Sequence, residues 1–195
     1  MKRSFFFILS LALAAAPLGA ETFTIDPAHS QVMFRIRHLM ISKVSGRFNK
    51  FSGSFDYEEG KPGKWKTSAV IEAASIDTGI EKRDEHLRNS DFFDVEKCPT
   101  LEFKSTKVTD AKGDKAKLHG DLTMHCVTKP VVLDLEIGGV IKEKSGLRAG
   151  ALASGKLSRK DFKLLYNKIL ETGGVALGDE VEIELEIEGT TGKKG

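Results

Sequence analysis

Apolar and polar positions alternate with a period of two over most of this chain, the signature of strands buried on one face. Val32, Phe34, Ile36 and His38 share a face, with Gln31, Met33, Arg35 and Arg37 opposite. Phe51, Gly53, Phe55 and Tyr57 repeat the pattern, Ala69, Val70 and Ile71 mark a further strand, and Leu101, Phe103 and Ser105 alternate against Glu102 and Lys104. Ala116, Leu118, Gly120, Leu122 and Met124 make one face of the next strand, and Val131, Leu133, Leu135 and Ile137 one face of another. Residues 147–157 are strand-like but small, and Val181, Ile183, Leu185 and Ile187 alternate with four glutamates. That last row predicts one buried and one solvated face, as in an antiparallel sheet with a wet outside. Thr22 to Ile25 adds a short strand closed by Asp26-Pro27, Glu58 to Gly63 and Asp110 to Asp114 read as turns, and Val127-Thr-Lys-Pro130 reads as a corner.

Two stretches break the rhythm. Ser75 to Val95 holds a Thr78-x-x-Glu81 capping box, which predicts a helix from about Gly79 or Ile80 with Ile80 and Leu87 turned inward and Asp84 paired to Arg88. Phe92 and Phe93 follow, so the segment reads as a helical plug or lid rather than an active site. Ser158 to Asp161 predicts a second helix, with Phe162, Leu165, Tyr166 and Ile169 at helical spacing. About eight strands on short turns, with no βαβ rhythm, give an all-β fold: an eight-stranded antiparallel lipocalin-like barrel with short helical insertions, or a sandwich. Such a barrel is wide enough to hold one small ligand. Ala151, Ala153 and Gly155 are expected to leave room inside it.

Length and charge narrow this further. Residues 1–20 of the 195 have the form of a cleaved signal peptide, with Lys2-Arg3, an apolar run from Phe5 to Ala16 and a small-residue site at Ala20 or Ala16. The run is shorter than the roughly 20 residues a spanning helix needs. The expected division is signal 1–20, barrel domain 21–190 and a flexible tail 191–195, with export to the periplasm. The signal's only charges are Lys2 and Arg3, so the remainder holds 28 basic and 28 acidic residues. With no basic excess there is no case for nucleic acid or for stable membrane insertion; a homodimer stays open. Cys98 and Cys126 can bridge or remain two thiols, and their spacing does not decide which.

No nucleophile elbow, zinc-protease or phosphate-loop motif is present. The five histidines lack ligand spacing, so neither a metal nor a cofactor is expected, and no catalytic residue is assigned. The candidate site is instead apolar: Phe34, Ile36, His38, Phe55, Ile80, Leu87, Phe92, Phe93, Phe103, Leu122, Met124, Phe162 and Leu165, with His38 as a polar contact at the mouth. The rival readings are a lipid-modifying enzyme using His38, Arg83, Asp84 and His86, and a stress-response protein whose cavity is incidental.

Nine short motifs occur in one order: Asp26-Pro-Ala-His-Ser30, Phe34-x-Ile-x-His38, Ser75-Ile-Asp-Thr78, Arg83-Asp-x-His-Leu-Arg88, Asp91-Phe-Phe-Asp94, Gly120-Asp-Leu-Thr123, Val127-Thr-Lys-Pro-Val131, Arg159-x-Asp-Phe162 and Gly178-Asp-Glu-Val181. Over residues 22–189 this resembles the YceI family of periplasmic, lipocalin-like polyisoprenoid-binding proteins. The resemblance implies an eight-stranded barrel that binds or carries an isoprenoid quinone or a similar long-chain lipid, without catalysis. Three positions depart from the family pattern: Cys126 stands where a glycine is expected, Cys98 where an aromatic precedes Pro99, and Lys163 where a glycine follows Asp-Phe.

Overall fold

The computed structural model describes residues 19–170 and 174–192; residues 1–18 of the expected signal peptide and 193–195 of the expected tail lie outside them. One antiparallel sheet contains β1 (Glu21–Ile25), β2 (Gln31–His38), β3 (Ser42–Phe48), β4 (Phe51–Tyr57), β5 (Lys66–Glu72), β6 (Ile76–Asp77), β7 (Thr100–Lys112), β8 (Lys115–Met124), β9 (Val127–Glu143), β10 (Gly146–Ser158) and β11 (Leu177–Thr190). Eight of these, in the order β1-β4-β5-β7-β8-β9-β10-β11, close into a barrel where Ile25 of β1 meets Gly189 of β11. β2, β3 and β6 extend the wall at one end: β11 runs on from β1 to β2, β2 pairs with β3, and Phe48 of β3 pairs with Ile76 of β6. The eight-stranded antiparallel barrel anticipated from the alternation is present.

The break between β1 and β2 has a local cause. The Asp26 carboxylate accepts the Ala28 N–H at 3.1 Å, and Pro27 opens a single helical turn, Pro27–His29. A short acceptor at the cap and a proline in the first position both favour that turn.

The inward faces follow the alternation. Ala116, Leu118, Leu122 and Met124 of β8 are buried, as is Leu133 of β9. Gly120 and Gly46 serve two aromatic rings: a Cβ on either would lie 2.4 Å from the ring of Phe103 or Phe34. Those glycines let both rings lie flat across the neighbouring strand.

Several expectations change. Val127 to Pro130 is not a corner but the start of β9, where Pro130 pairs with Asp121. Proline is tolerated because β10 does not pair with β9 until Asp134, so the face lacking an N–H has no partner to satisfy. The turn falls earlier, at His125 and Cys126, whose φ angles of 50° and 56° make a two-residue left-handed turn. Gly155 of β10 does not widen the interior: a Cβ there would lie 2.8 Å from Leu133, so its gap is already filled by a neighbour. The glutamates of β11 are not simply solvated either, since Lys156, Lys43 and Arg35 pair with Glu180, Glu182 and Glu184 across the strands.

The second helix is reduced to one turn, Arg159–Phe162, because Lys163 adopts φ 60° and stops it. Residues 164–169 then run as an irregular loop, which buries Leu164 and exposes Leu165. The end of the barrel away from this loop is packed shut: Phe23 is 1% exposed, and its ring stacks on Phe55 with centroids 5.1 Å apart. Beyond β11, Thr191 exchanges two 2.9 Å hydrogen bonds with Leu147, which ties down the first residue of the expected tail.

Candidate lipid cavity

A cavity of about 380 Å³ opens at the barrel end that carries β2, β3 and β6. Its deep wall is aliphatic and aromatic, from Phe34, Leu101, Phe103, Leu122, Leu133 and Leu185, which are the inward positions of β2, β7, β8, β9 and β11. His38, Thr78, Arg83, His86, Arg159, Tyr166 and Lys168 supply the polar groups. No carboxylate lines it among the described residues.

The plug forms one wall of the mouth. Its helix, α1 (Glu81–Arg88), has no side-chain cap, contrary to the capping-box expectation. Thr78 is used elsewhere: the buried Asp84 carboxylate accepts both its hydroxyl and its N–H, the latter at 3.0 Å. The Thr78 oxygens in turn accept Arg83 Nε at 2.7 Å and Nη2 at 2.8 Å. Asp84 therefore organises the strand-to-helix turn and does not pair with Arg88, which binds Glu81 and the carbonyls of Ala74 and Ile76. Before the helix, Asp77 accepts the Gly79 N–H at 2.9 Å, and with help from Asn49 and Arg47 this holds its carboxyl below the ordinary carboxylate range.

Three rings close over the opening. His86 meets Phe92 and Tyr166 edge-on at 5.0 and 4.9 Å, and Phe92 lies 5.0 Å from Tyr166. His86 Nε2 also contacts Asp91 at 2.9 Å. Phe93 packs edge-on against Phe48. The plug is thus latched to the 164–169 loop by aromatic contacts worth roughly 0.5–1.5 kcal/mol each beyond their burial. A disulfide between Cys98 and Cys126 joins the end of the plug to the β8–β9 turn. Around this mouth the side chains of Met40, Ile41, Ile80, Leu165, Ile169 and Val175 stand exposed.

Arg159 is the least conventional residue of the site. It is 3% exposed, and its donors go to backbone carbonyls: Nε to Gly178 at 2.9 Å, and Nη1 to Tyr166 at 2.9 Å and to Leu164. Burial pushes its pKa down, and attraction from Asp179 offsets part of that.

Of the thirteen anticipated residues, Phe34, Ile36, His38, Leu87, Phe92, Phe93, Phe103, Leu122 and Met124 line the cavity. Four do not. Phe55 packs on Phe23 at the closed end; Ile80 caps α1 and faces outward, 53% exposed. Phe162 is fully buried in the packed core, and Leu165 is displaced to the surface by the lost helix while Leu164 takes the inward place. Of the set named for the rival enzyme reading, His38, Arg83 and His86 line the cavity and Asp84 does not. Thr78, Arg159, Tyr166 and Lys168 went unassigned, although Thr78 and Arg159 fall within two of the nine motifs, Ser75-Ile-Asp-Thr78 and Arg159-x-Asp-Phe162. Among the described residues no cluster of three or more His, Cys, Asp or Glu is placed to hold a metal, and no helix is long and apolar enough to cross a membrane.

Residues 23–189 match the YceI-like domain. The chain belongs to the YceI family. Curated relatives include a UPF0312 protein of Vibrio parahaemolyticus, 37% identical over 97% of this chain and 98% of its own, and one of Photorhabdus laumondii, 43% identical over 78% and 81%. The YceI protein of Campylobacter jejuni superposes with a TM-score of 0.68 at 29% identity, covering 96% of this chain and 98% of its own. A polyisoprenoid binding domain from Saccharophagus degradans shares the fold alone, at 15% identity and a TM-score of 0.64 over 89% and 99%. Two of the three departures from the YceI pattern now have a geometric meaning. Cys126 and Lys163 both sit at positive φ, where glycine is strain-free, and Cys126 is kept there by its bond to Cys98.

Proposed function

We propose that this YceI-family protein binds or carries a polyisoprenoid or similar long-chain amphiphile in the periplasm, and does not transform it. The observation that carries this reading is the apolar cavity behind the Phe92–His86–Tyr166 latch. Its volume falls within the roughly 300–1,000 Å³ of small-molecule pockets, and such pockets place a few polar groups on an apolar wall, as here. At about 25 cal/mol per Å², covering even a few hundred Å² of tail is worth several kcal/mol, which covers much of the cost of immobilising it. The Saccharophagus degradans domain of the same fold, named for polyisoprenoid binding, supports the ligand class.

The test is native mass spectrometry of protein isolated from periplasmic extract, followed by solvent extraction of the bound material. A prenyl or long-chain lipid in stoichiometric amount is expected; a reproducibly empty barrel sinks the reading. Turnover of the extracted lipid by the protein, lost on replacing His38 or His86 with Ala, would move it to the enzyme class.

A further inference from the structure

The mouth of the cavity has a chemical sign. Its ionisable lining groups are His38, Arg83, His86, Arg159 and Lys168, all basic or neutral, with no carboxylate among the described residues. An amphiphile's head seated there meets Arg83, Arg159 and Lys168 with no carboxylate in the lining to oppose them; the Asp91 carboxylate, 2.9 Å from His86 Nε2, lies outside that lining.

Arg159 sharpens this to one atom. A guanidinium has five N–H donors and no acceptor, and it stays protonated in proteins. Three carbonyls engage Nε and Nη1, but Nη2 has no partner, the one such buried side-chain nitrogen or oxygen among the described residues. No carboxylate touches the group. Asp179 attracts it from a distance while accepting the Ser158 hydroxyl at 2.9 Å and the Lys160 N–H. A buried charge held only by neutral carbonyls, with two donors idle, is costly until an acceptor arrives. Arg159 is also placed at the right depth. Its Nε binds the Gly178 carbonyl, and the adjacent Leu177 pairs with His38 at the rim, so the guanidinium lies at the head-group end of the cavity and not at its aliphatic floor.

Resting on the lipid-binding reading above, we propose that Arg159 is the head-group anchor of the cavity and that its ligand is a long-chain amphiphile with an acidic oxygen head, a carboxylate or a phosphate. The head accepts from Nη2 while the tail fills the wall between Phe34, Phe103, Leu122 and Leu185. A charge-assisted hydrogen bond is roughly twice as strong as a neutral one, so the gain over an alcohol head is about tenfold or more in affinity. Arg159 then does two jobs, since its carbonyl bonds also hold the 164–166 loop that carries Tyr166.

The experiment holds the tail constant and varies the head. Hexadecanoic acid, hexadecyl phosphate, hexadecanol and hexadecylamine are titrated by calorimetry into the delipidated full chain and into Arg159→Met. The acid and the phosphate are expected to bind the unaltered protein at least tenfold more tightly than the alcohol, with the amine weakest, and Arg159→Met is expected to level acid and alcohol. Equal affinity for all four heads, or a preference for the amine, overturns the head-group claim while leaving the lipid cavity intact; no binding of any probe overturns the lipid cavity itself. An acid preference that survives Arg159→Met overturns the assignment to Arg159. Where that variant does not fold, a crystal structure of the unaltered protein with hexadecyl phosphate decides. A head oxygen within hydrogen-bond distance of Nη2 supports the anchor, and a head seated elsewhere overturns it.

Discussion

The two ends of this barrel are finished in opposite ways. At the closed end, aromatic stacking fills the bore: Phe23 on Phe55, with Ile25 buried beside them. Its rim is ionic. Arg148 reaches Asp26 at 3.0 Å, Glu143 at 2.8 Å and Glu188 at 2.8 Å, so charges from β9, β10, β11 and the turn after β1 are tied together. At the open end the bore is left empty. Its rim is made of loops, one disulfide and a single helix, with apolar side chains facing out and an arginine facing no counter-charge. The closed end joins strands to strands, whereas the mouth joins a short helix and irregular loops, which hold fewer backbone hydrogen bonds and belong to the less stable part of a fold.

The largest effect that could break this contrast is at the closed end. Phe23→Ala removes a fully buried ring and should cost about 3–5 kcal/mol in urea unfolding, with the ranking of amphiphile heads unchanged. A loss under 1 kcal/mol would mean that the closed end is not the stable one. Next comes the staple. Replacing Cys98 and Cys126 together with Ser frees a loop of 28 residues' separation, for which chain entropy suggests about 3–4 kcal/mol. Because the bond also ties the end of the plug to the β8–β9 turn, the same variant should release bound lipid faster; unchanged release would confine the disulfide's role to stability.

Smaller effects sharpen the picture of the mouth. Phe92→Ala opens the ring latch and should speed lipid dissociation by about tenfold, read by stopped-flow transfer to vesicles, while Asp84→Asn should act mainly on stability, by about 1–3 kcal/mol, through the Thr78 donors it can no longer fully satisfy. If Asp84→Asn speeds dissociation as much as Phe92→Ala does, the latch is not the barrier. The smallest effect concerns pH. The Arg148 guanidinium, and then His29, hold the Asp26 carboxyl below its ordinary value of 3.8. A lowered folded pKa adds stability above the ordinary value, and that stability is lost as pH falls through the folded one. Unfolding midpoints should therefore drop below about pH 4, and Asp26→Asn should flatten that drop. An unaltered acid profile in Asp26→Asn would place the acid sensitivity elsewhere.

Much of this was legible in the alternation, and its failures are instructive. Phe34, Phe103, Leu122 and Met124 were placed on the cavity wall because side chains on a strand point to opposite faces in turn, which any reader of the pattern can follow. Phe55 lies on an equally good inward row and yet misses the cavity. The pattern tells which face a residue takes but not its height along the bore. Leu165 failed for another reason. Helical spacing from Phe162 assumed a helix that Lys163 ends, and the carbonyls freed by that ending are taken by Arg159.

By itself, then, the sequence determined the antiparallel barrel class, most of the inward faces, the position of the plug and the family, because each is written in local period or in motif order. The tertiary structure alone decided which end stays open, that Cys98 meets Cys126, and that Arg159, one of the lining residues, keeps a buried Nη2 without a partner. Those depend on the stagger of β11 between β1 and β2, and on loops meeting across the mouth from residues far apart in the chain. No local pattern encodes a height or a meeting; only closure of the sheet sets them.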